Sequence, residues 1–204
     1  MTHFQIVTIG TSLGGFEALS VLLGRLPKDF PLPVAVVQHR SCEDSEAFAP
    51  LLAGHIQLPV IDVEDKEEIR EGHVYVGPSN YHLLVERGHF ALSADEPVMH
   101  ARPAIDVLFE SAADAFGKDV VGVLLTGMSR DGSAGLKKIK ASGGFTVVQD
   151  PETAKHGRMP AAAISAALVD RVLRLEEIAS FLVELCVPRG VRHDRRQGQH
   201  SSRR

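Results

Sequence analysis

The sequence has little of what disulfide-rich or membrane-spanning proteins are built from. Only two cysteines occur among its 204 residues, tryptophan is absent, and aromatic residues make up 5% of the chain. Cys42 and Cys186 lie far apart and form no CxxC pair, which fits a reducing, cytoplasmic compartment better than a disulfide framework. No basic segment followed by an apolar run opens the chain, and no stretch is long enough to cross a bilayer. We therefore expect neither a signal peptide nor a membrane-inserted segment.

The chain also lacks a basic field over its whole length, because its formal net charge is −4. We therefore expect no nucleic-acid partner. The charge is uneven, since the segment 188–204, PRGVRHDRRQGQHSSRR, holds six arginines and one aspartate. This segment has almost no apolar residue, so we expect one folded domain over residues 1–187 and a basic, disordered tail over 188–204. The tail is either a solvated end or an electrostatic tether to an acidic partner surface.

Apolar segments alternate with helical patterns along the folded part. FQIVTIG, PVAVVQH, LPVIDVE, VVGVLLTG and GFTVVQD are typical of buried strands. Unbroken apolar strands separated by helices predict an α/β fold, a doubly wound, mostly parallel sheet with helices on both faces. The segment 74–93, VYVGPSNYHLLVERGHFALS, differs because Gly-Pro and Arg-Gly turns separate its short pieces. It predicts a short antiparallel excursion.

Chemically capable side chains follow three of the predicted strands. Ser12 follows IVTIGT, His39 closes VAVVQ, and Asp131 lies in LLTGMSRDG, just past VVGVLL. In an open α/β sheet, sites form outside the carboxyl ends of the strands. We therefore expect the hydroxyl, the imidazole and the carboxylate to meet at one edge of the sheet. Together they are the components of a Ser-His-Asp triad, which is defined by geometry rather than by chain order.

The turn around Ser12 admits more than one interpretation. Gly10 to Gly14 match the G-x-S-x-G spacing of a nucleophile elbow, and a helix starting after the serine would aim its backbone N–H groups at a developing oxyanion. The same residues fit a plain strand-to-helix turn with a capping serine. A phosphate-binding loop is a weaker match, because neither GxGxxG nor a closing Gly-Lys-Ser/Thr is present.

Five segments together resemble the catalytic domain of the chemotaxis protein-glutamate methylesterase family: IGTSLGGFEAL, VVQH, RPAIDVLFESAADAFG, GVLLTGMSRDGSAGL and TVVQDPETAKHGRMPAAAI. The resemblance covers Phe4 to Leu185, and its most specific part is the block LTGM-x-x-DG-x-x-G from Leu125 to Gly135. It implies hydrolysis of glutamate γ-methyl esters on the cytoplasmic helices of chemoreceptors, with release of methanol, and deamidation of certain receptor glutamines.

Carried over position by position, the resemblance implies that Ser12 is the nucleophile, His39 the general base and Asp131 the carboxylate that orients the histidine. Met128 matches a methionine beside the family's site that is associated with oxyanion stabilisation, and Leu13 adjoins the nucleophile. A neutral imidazole would take the serine proton, methanol would leave, and water would hydrolyse the acyl-enzyme. We expect no metal and no cofactor, since the histidines form no compact ligand set with carboxylates.

The sequence departs from the family pattern in two places. The family usually has Ser-Thr-Gly-Gly at the nucleophile, whereas Leu13 stands here at the threonine position. The loss of a hydroxyl puts rate or substrate preference in question and leaves the triad intact. The family also carries a receiver domain before the catalytic domain, whereas here the catalytic pattern begins within ten residues of Met1. We expect a stand-alone enzyme, regulation in trans by a separate partner, or a trimmed chain.

Other functions and other residues stay open at this point. The chain could be a catalytically idle module that binds receptor helices or a signalling partner, or a nucleotide-binding domain using the Gly10–Gly15 turn. Arg102, before the helix-starting Pro103, could form a salt bridge there or contact a receptor acid. Arg40 could meet an acidic substrate surface or only solvent. We interpret the remaining basic candidates as a solvated helix face (Lys137, Lys138, Lys140) and as surface or satisfied histidines (His73, His82, His89, His100).

Overall fold

The structure, a computed structural model, describes residues 4–40, 48–166 and 169–186. The strands in these ranges are β1 (Ile6–Thr11), β2 (Val34–Gln38), β3 (Val60–Asp62), β4 (Val74–Val76), β5 (His82–Val85), β6 (Phe90–Ser93), β7 (Val120–Leu124), β8 (Phe145–Gln149) and β9 (Arg171–Leu173). The helices are α1 (Gly15–Gly24), α2 (Phe48–Ala53), α3 (Ile105–Phe116), α4 (Ser133–Ala141), α5 (Arg158–Ala166) and α6 (Leu175–Cys186).

Seven of the strands form one parallel sheet in the order β3-β4-β2-β1-β7-β8-β9. β1 lies at the centre, where Ile9 is in register with Val36 of β2 and Val123 of β7. The chain first winds from β1 towards β3 and later returns to β7 on the other side of β1. The direction of winding therefore reverses between β1 and β7, and sites of open α/β sheets form at such a reversal.

Helices cover both faces of the sheet, which confirms the predicted doubly wound α/β fold. On one face, apolar side chains of α1, α2 and α6 pack against the sheet around Val7 and Ile9. On the other face, α3, α4 and α5 pack around Ile6 and Val120. Because successive strand residues point to opposite faces, both neighbours in Ile6-Val7 are fully buried, which explains why the strands are continuously apolar rather than alternating.

The antiparallel excursion is shorter than predicted. β5 and β6 do pair antiparallel, with Val85 opposite Phe90, and they pack over the face that carries α3. The first piece of the segment, Val74–Val76, instead inserts as β4 between β2 and β3 in the parallel sheet. β9 was not predicted either, because Arg171 and Val172 of this edge strand are exposed and no buried apolar run marks it.

Two predictions concern segments outside the described residues. These are the basic tail over 188–204 and Cys42 within 41–47. Cys186, at the end of α6, is a free thiol, and burial raises its pKa to about 12. Among the described helices, none combines the length and the apolar character needed to cross a bilayer.

Candidate active site

The three predicted triad residues converge at the carboxyl edge of the sheet. Ser12 directly follows β1, His39 directly follows β2, and Asp131 lies in the loop between β7 and α4. The backbone N–H of His39 donates to Thr11 O at 3.0 Å, which continues the β1–β2 ladder past the last strand residue. The serine and the histidine are thus placed by regular strand pairing rather than by flexible loops.

The main chain of Ser12 is held from three directions. Its N–H donates to Thr126 O at 3.0 Å, and its carbonyl accepts from Gly15 N at 2.9 Å and from Gln38 Nε2 at 2.7 Å. The side chain is half-buried, and within the described ranges its Oγ makes no hydrogen bond. The backbone is therefore fixed while the hydroxyl stays available to a substrate.

Two glycines make this tight arrangement possible. Gly14, the residue before α1, has φ of +80°, a left-handed conformation that favours glycine. A Cβ on Gly127 would lie 2.9 Å from Ser12 Cβ and 2.5 Å from Met159 Cε, so only glycine allows the β7–α4 loop to pass this close to the serine. Within the described residues, no hydrogen bond engages the backbone N–H groups of Leu13 and Gly14 at the start of α1.

His39 and Asp131 form a direct pair. His39 Nε2 donates to Asp131 Oδ2 at 2.7 Å, with the imidazole 16% exposed and the carboxylate 0% exposed. Oδ2 also accepts from Ile105 N at 2.7 Å, while Oδ1 accepts from Asp106 N and Gly132 N, each at 2.9 Å. Four donors thus surround the two carboxylate oxygens, and they fix the orientation of the side chain.

These contacts determine the charge of Asp131 and the tautomer of His39. Burial alone would favour the neutral acid, but the hydrogen bond from His39 and those from the Ile105 and Asp106 amides outweigh it, so the pKa of Asp131 is lowered. An ionised carboxylate only accepts, so Nε2 of the neutral imidazole carries the hydrogen and Nδ1 keeps its lone pair. Nδ1 is therefore the nitrogen of His39 that can act as a base.

Ser12 and His39 line one cavity of about 450 Å³, together with Leu13, Phe16 and Arg40. A second cavity of similar volume, about 450 Å³, also borders His39 and Arg40 and is lined by Asn80, His100, Arg102 and Ser129. His39 and Arg40 therefore line both cavities, whereas Ser12 lines the first.

Two positioning residues were missed from the sequence. Gln38 is 7% exposed, and its side-chain amide donates to Ser12 O at 2.7 Å and to His39 O at 2.8 Å, so one residue ties both loops together. Thr126 Oγ1 donates to Leu13 O at 3.0 Å and accepts from His156 N at 2.9 Å. A polar residue that ends an apolar strand directly before His39 marks Gln38 in the sequence without indicating what it contacts. Thr126, in the LTGM block, carries no such mark.

The residues predicted beside the triad lie on different sides of it. Leu13 is 56% exposed and lines the Ser12 cavity. Met128 is 46% exposed on the loop between Gly127 and Ser129, and it is not among the lining residues of either cavity described above. The segment at His156-Gly157 borders this region, because Gly127 N donates to His156 O at 2.9 Å.

The two arginines are anchored to the protein. Arg40 donates from Nη2 to Gly77 O at 2.5 Å and lies 4.6 Å from the centre of the Phe48 ring. Burial lowers the pKa of Arg40, and the nearby Asp62 opposes that shift. Arg102 Nη1 donates to Ala94 O at 2.8 Å and to Asp95 O at 3.0 Å, so it ties a loop through carbonyls. With the carboxylates of residues 4–40, 48–166 and 169–186 it forms no salt bridge of the kind considered from the sequence.

The other basic candidates have structural surroundings. His82 is 1% exposed and satisfied on both ring nitrogens, by Glu96 O and by the backbone N–H of Ala104. His73 and His89 contact Glu71 O and Glu86, and His100 lines the second cavity. Two of the three lysines of α4 are not merely solvated, since Lys138 pairs with Asp114 and Lys140 with Asp170. In the part of the chain that the structure describes, no three His, Cys, Asp or Glu side chains group as metal ligands.

A doubly wound parallel sheet with a serine, a histidine and a buried carboxylate at its carboxyl edge defines a class of α/β proteins with a candidate Ser-His-Asp site. The chain order Ser12, His39, Asp131 differs from the Ser, Asp/Glu, His order of the α/β-hydrolase superfamily. Comparison with known proteins specifies the family. The family model described as CheB methylesterase matches residues 7–182, so the chain belongs to the CheB methylesterase family. The predicted resemblance is thereby confirmed.

Relatives in this family share much of the sequence. A Leptospira interrogans protein, provisionally named protein-glutamate methylesterase/protein-glutamine glutaminase, is 44% identical over 184 residues, which are 90% of this chain and 95% of that protein. An Anaeromyxobacter dehalogenans protein, protein-glutamate methylesterase/protein-glutamine glutaminase 2, is 44% identical over 89% of this chain but only 53% of its own length. The crystal structure of the Thermotoga maritima CheB methylesterase catalytic domain superposes with a TM-score of 0.85 at 35% identity, covering 89% of this chain and 98% of that one.

Proposed function

We propose that this chain is a serine esterase that hydrolyses glutamate γ-methyl esters on the cytoplasmic helices of chemoreceptors and deamidates receptor glutamines. The observation that carries the proposal is the His39 Nε2–Asp131 Oδ2 hydrogen bond of 2.7 Å, formed beside the cavity that His39 shares with Ser12. Family membership and the names of the relatives support the substrate class.

The mechanism follows from the orientation of the imidazole. Nδ1 of His39 accepts the Ser12 hydroxyl proton as Oγ attacks the ester carbonyl, and ionised Asp131 stabilises the imidazolium through Nε2. The imidazolium then gives the proton to the departing methoxide. Water, deprotonated by the same nitrogen, hydrolyses the acyl-enzyme and returns the glutamate carboxylate. An amide substrate follows the same steps, with ammonia as the leaving group.

The oxyanion of each tetrahedral intermediate needs donors close to Ser12. Leu13 and Gly14 offer backbone N–H groups at the start of α1, where the helix also contributes a positive partial charge. Gly15 cannot serve in this way, because its N–H already donates to Ser12 O at 2.9 Å. We therefore assign oxyanion stabilisation to the Leu13–Gly14 turn, with Met128 as an exposed neighbour on the facing loop.

Methanol release tests the reaction and the substrate together. Purified protein is incubated with chemoreceptor that carries methylated glutamates, and methanol is measured with the wild type, with Ser12→Ala and with Ser165→Ala. Ser165 is an exposed residue of α5, so its variant is a matched control for the loss of a hydroxyl. We expect methanol from the wild type and the control, and a loss of about 10⁴-fold or more for Ser12→Ala. Binding to the receptor without methanol release by the wild type would instead identify an idle interaction module.

A further inference from the structure

The first turns of α3 and α4 are capped reciprocally: an aspartate beside each helix start accepts backbone N–H groups from the other helix. The residues before the two helices, Ala104 and Gly132, give no side-chain cap. The carboxylate of Asp131, just before α4, accepts the N–H groups of Ile105 and Asp106 in the first turn of α3. Asp106 Oδ1 in turn accepts Gly135 N in the first turn of α4 at 2.7 Å. Each helix therefore satisfies its free N–H groups with an aspartate from the other.

This reciprocal capping depends on an unusually close approach of the two helices. A Cβ on Gly135 would lie 2.5 Å from Phe109 Cβ and 3.1 Å from the carbonyl oxygen of Asp106. Any larger residue would push α4 away from α3 and lengthen the Asp106–Gly135 hydrogen bond. This explains why the LTGM-x-x-DG-x-x-G block ends in a glycine that lies beyond the catalytic loop.

We propose that Asp106 is a positioning residue for the His39–Asp131 pair, and that it acts by holding the start of α4, and with it Asp131, against α3. The inference rests on the proposed function of that pair. Asp131 keeps its place only while the N-termini of α3 and α4 keep theirs, and the Asp106 side chain joins α3 to Gly135 in the first turn of α4. Asp106 itself is 6% exposed and is not among the lining residues of either cavity.

Asp106 also adds a second carboxyl beside the first. Burial and the charge of Asp131 raise the pKa of Asp106 to about 6. The charge of Glu110 on α3 raises the pKa of Asp106 as well. The other ionisable groups around the site are His82, whose ring accepts from Ala104 N, and Arg40, His100 and Arg102 beside the second cavity.

Three variants test the inference. Asp106→Ala removes the acceptor for Gly135 N, and Asp106→Asn keeps an oxygen there but removes the charge. Asp114→Asn is the matched control, because Asp114 also links α3 to α4, through Lys138, but at the exposed surface. We expect Asp106→Ala to lower kcat about 10- to 100-fold with KM within about threefold. Asp106→Asn should recover most of that loss, and Asp114→Asn should match the wild type.

The Nε2–H signal of His39, followed by NMR, separates this inference from the proposed function because it needs no turnover. We expect the signal to shift in Asp106→Ala, where the start of α4 is released, and to return near its wild-type position in Asp106→Asn, where an oxygen still accepts from Gly135 N. A wild-type kcat for Asp106→Ala, or a His39 signal unchanged in that variant, would overturn the positioning role. If Asp106→Ala does not fold, Gly135→Ala, in which a Cβ would lie 2.5 Å from Phe109 Cβ, is measured in its place with the same expectation. An enzyme that releases no methanol yet shows the shifted signal would contradict the proposed function and leave the positioning role intact.

Discussion

Three helices begin close to Ser12, His39 and Asp131, and their N-termini are used in two different ways. The first turns of α3 and α4 are filled, because Asp131 and Asp106 accept their N–H groups. The N-terminus of α1 is open, since Gly14 provides no side chain and no side-chain cap is formed. All three lack a capping side chain at the residue before the helix, so the difference lies in what the rest of the fold brings to them.

In the proposed mechanism, the difference separates a permanent charge from one that forms only during the reaction. Free N–H groups and the helix dipole favour a negative charge at a helix N-terminus. At α3 that charge is the carboxylate of Asp131, which accepts a hydrogen bond from His39. At α1 we propose that the open N-terminus receives the oxyanion, an interaction made only in the transition state, which would accelerate the chemical step.

The largest effect should come from Asp131→Asn, which changes the carboxylate that caps the N-terminus of α3. Each carboxylate oxygen accepts two hydrogen bonds, so in either orientation the amide NH₂ would face two donors. We expect kcat to fall about 10⁴-fold, as the imidazole loses its orienting acceptor. The free energy of unfolding should fall by about 2 kcal/mol as buried donors lose their partners. Steady-state kinetics and urea denaturation measure both, and a loss of kcat below about tenfold would point to a different carboxylate.

A smaller effect should come from Gly14→Ala, which changes the uncapped N-terminus of α1. Its φ of +80° is unfavourable for alanine, so the turn should shift and move the Leu13 and Gly14 N–H groups. We expect kcat to fall about 10- to 100-fold while KM changes little. Gly143→Ala is the matched control, because Gly143 has φ of +85° near the far end of α4 and, like Gly14, faces a lysine side chain. Equal kinetics for the two variants would show that the α1 turn has no part in catalysis.

The raised pKa of Asp106 beside Asp131 should also appear in the pH dependence of the free energy of unfolding. The pKa of Asp106 is raised to about 6, so the folded state binds a proton that the unfolded state, with a pKa of about 3.9, releases earlier. Its contribution to stability is therefore full below about pH 4 and is lost as the pH rises through about 6. Relative to Asp106→Asn, the wild type should lose about 2–3 kcal/mol of unfolding free energy between pH 4 and pH 7. Parallel stability curves for the two proteins would contradict the shifted pKa.

The smallest effect should come from Leu13→Thr, which alters a side chain and leaves the backbone at the N-termini of α1, α3 and α4 unchanged. Leu13 is 56% exposed, so the substitution should alter the unfolding free energy by less than about 0.5 kcal/mol. Because Leu13 lines the Ser12 cavity, we expect its effect in KM, within about threefold, rather than in kcat. Methanol-release kinetics at several receptor concentrations separate the two, and a kcat change above tenfold would show that residue 13 takes part in the chemistry.

Sequence reasoning worked best where one rule determined the outcome. Apolar strands between helices predicted the parallel sheet, and the rule that strand ends share one edge predicted the meeting of His39 with Asp131. Sequence reasoning failed where contacts between distant segments determine the secondary structure. Val74–Val76 resembles the hairpin that follows it, and only pairing with β2 and β3 places it in the main sheet. β9 is an exposed edge strand, so its sequence lacks the apolar run that is typical of a buried strand.

The supporting contacts of the site were also hidden in the sequence. Nothing local indicates that Gln38 reaches the carbonyl of Ser12, or that Asp106 reaches the amide of Gly135, because both contacts join segments more than 25 residues apart. The imidazole nitrogen that faces Asp131 likewise depends on the path of the β7–α4 loop. Residue types could be predicted from pattern, whereas hydrogen-bond partners required the folded chain.

The most direct test of the central claim is covalent labelling of the nucleophile. The wild type, His39→Ala and Ser12→Ala are treated with an organophosphorus ester that phosphorylates activated serines, and the adduct is located by peptide mass spectrometry. We predict one adduct on the wild type, on Ser12, with labelling slowed strongly in His39→Ala and absent in Ser12→Ala. An adduct on another serine, or equal labelling of the wild type and His39→Ala, would contradict a Ser12 nucleophile activated by the His39–Asp131 pair.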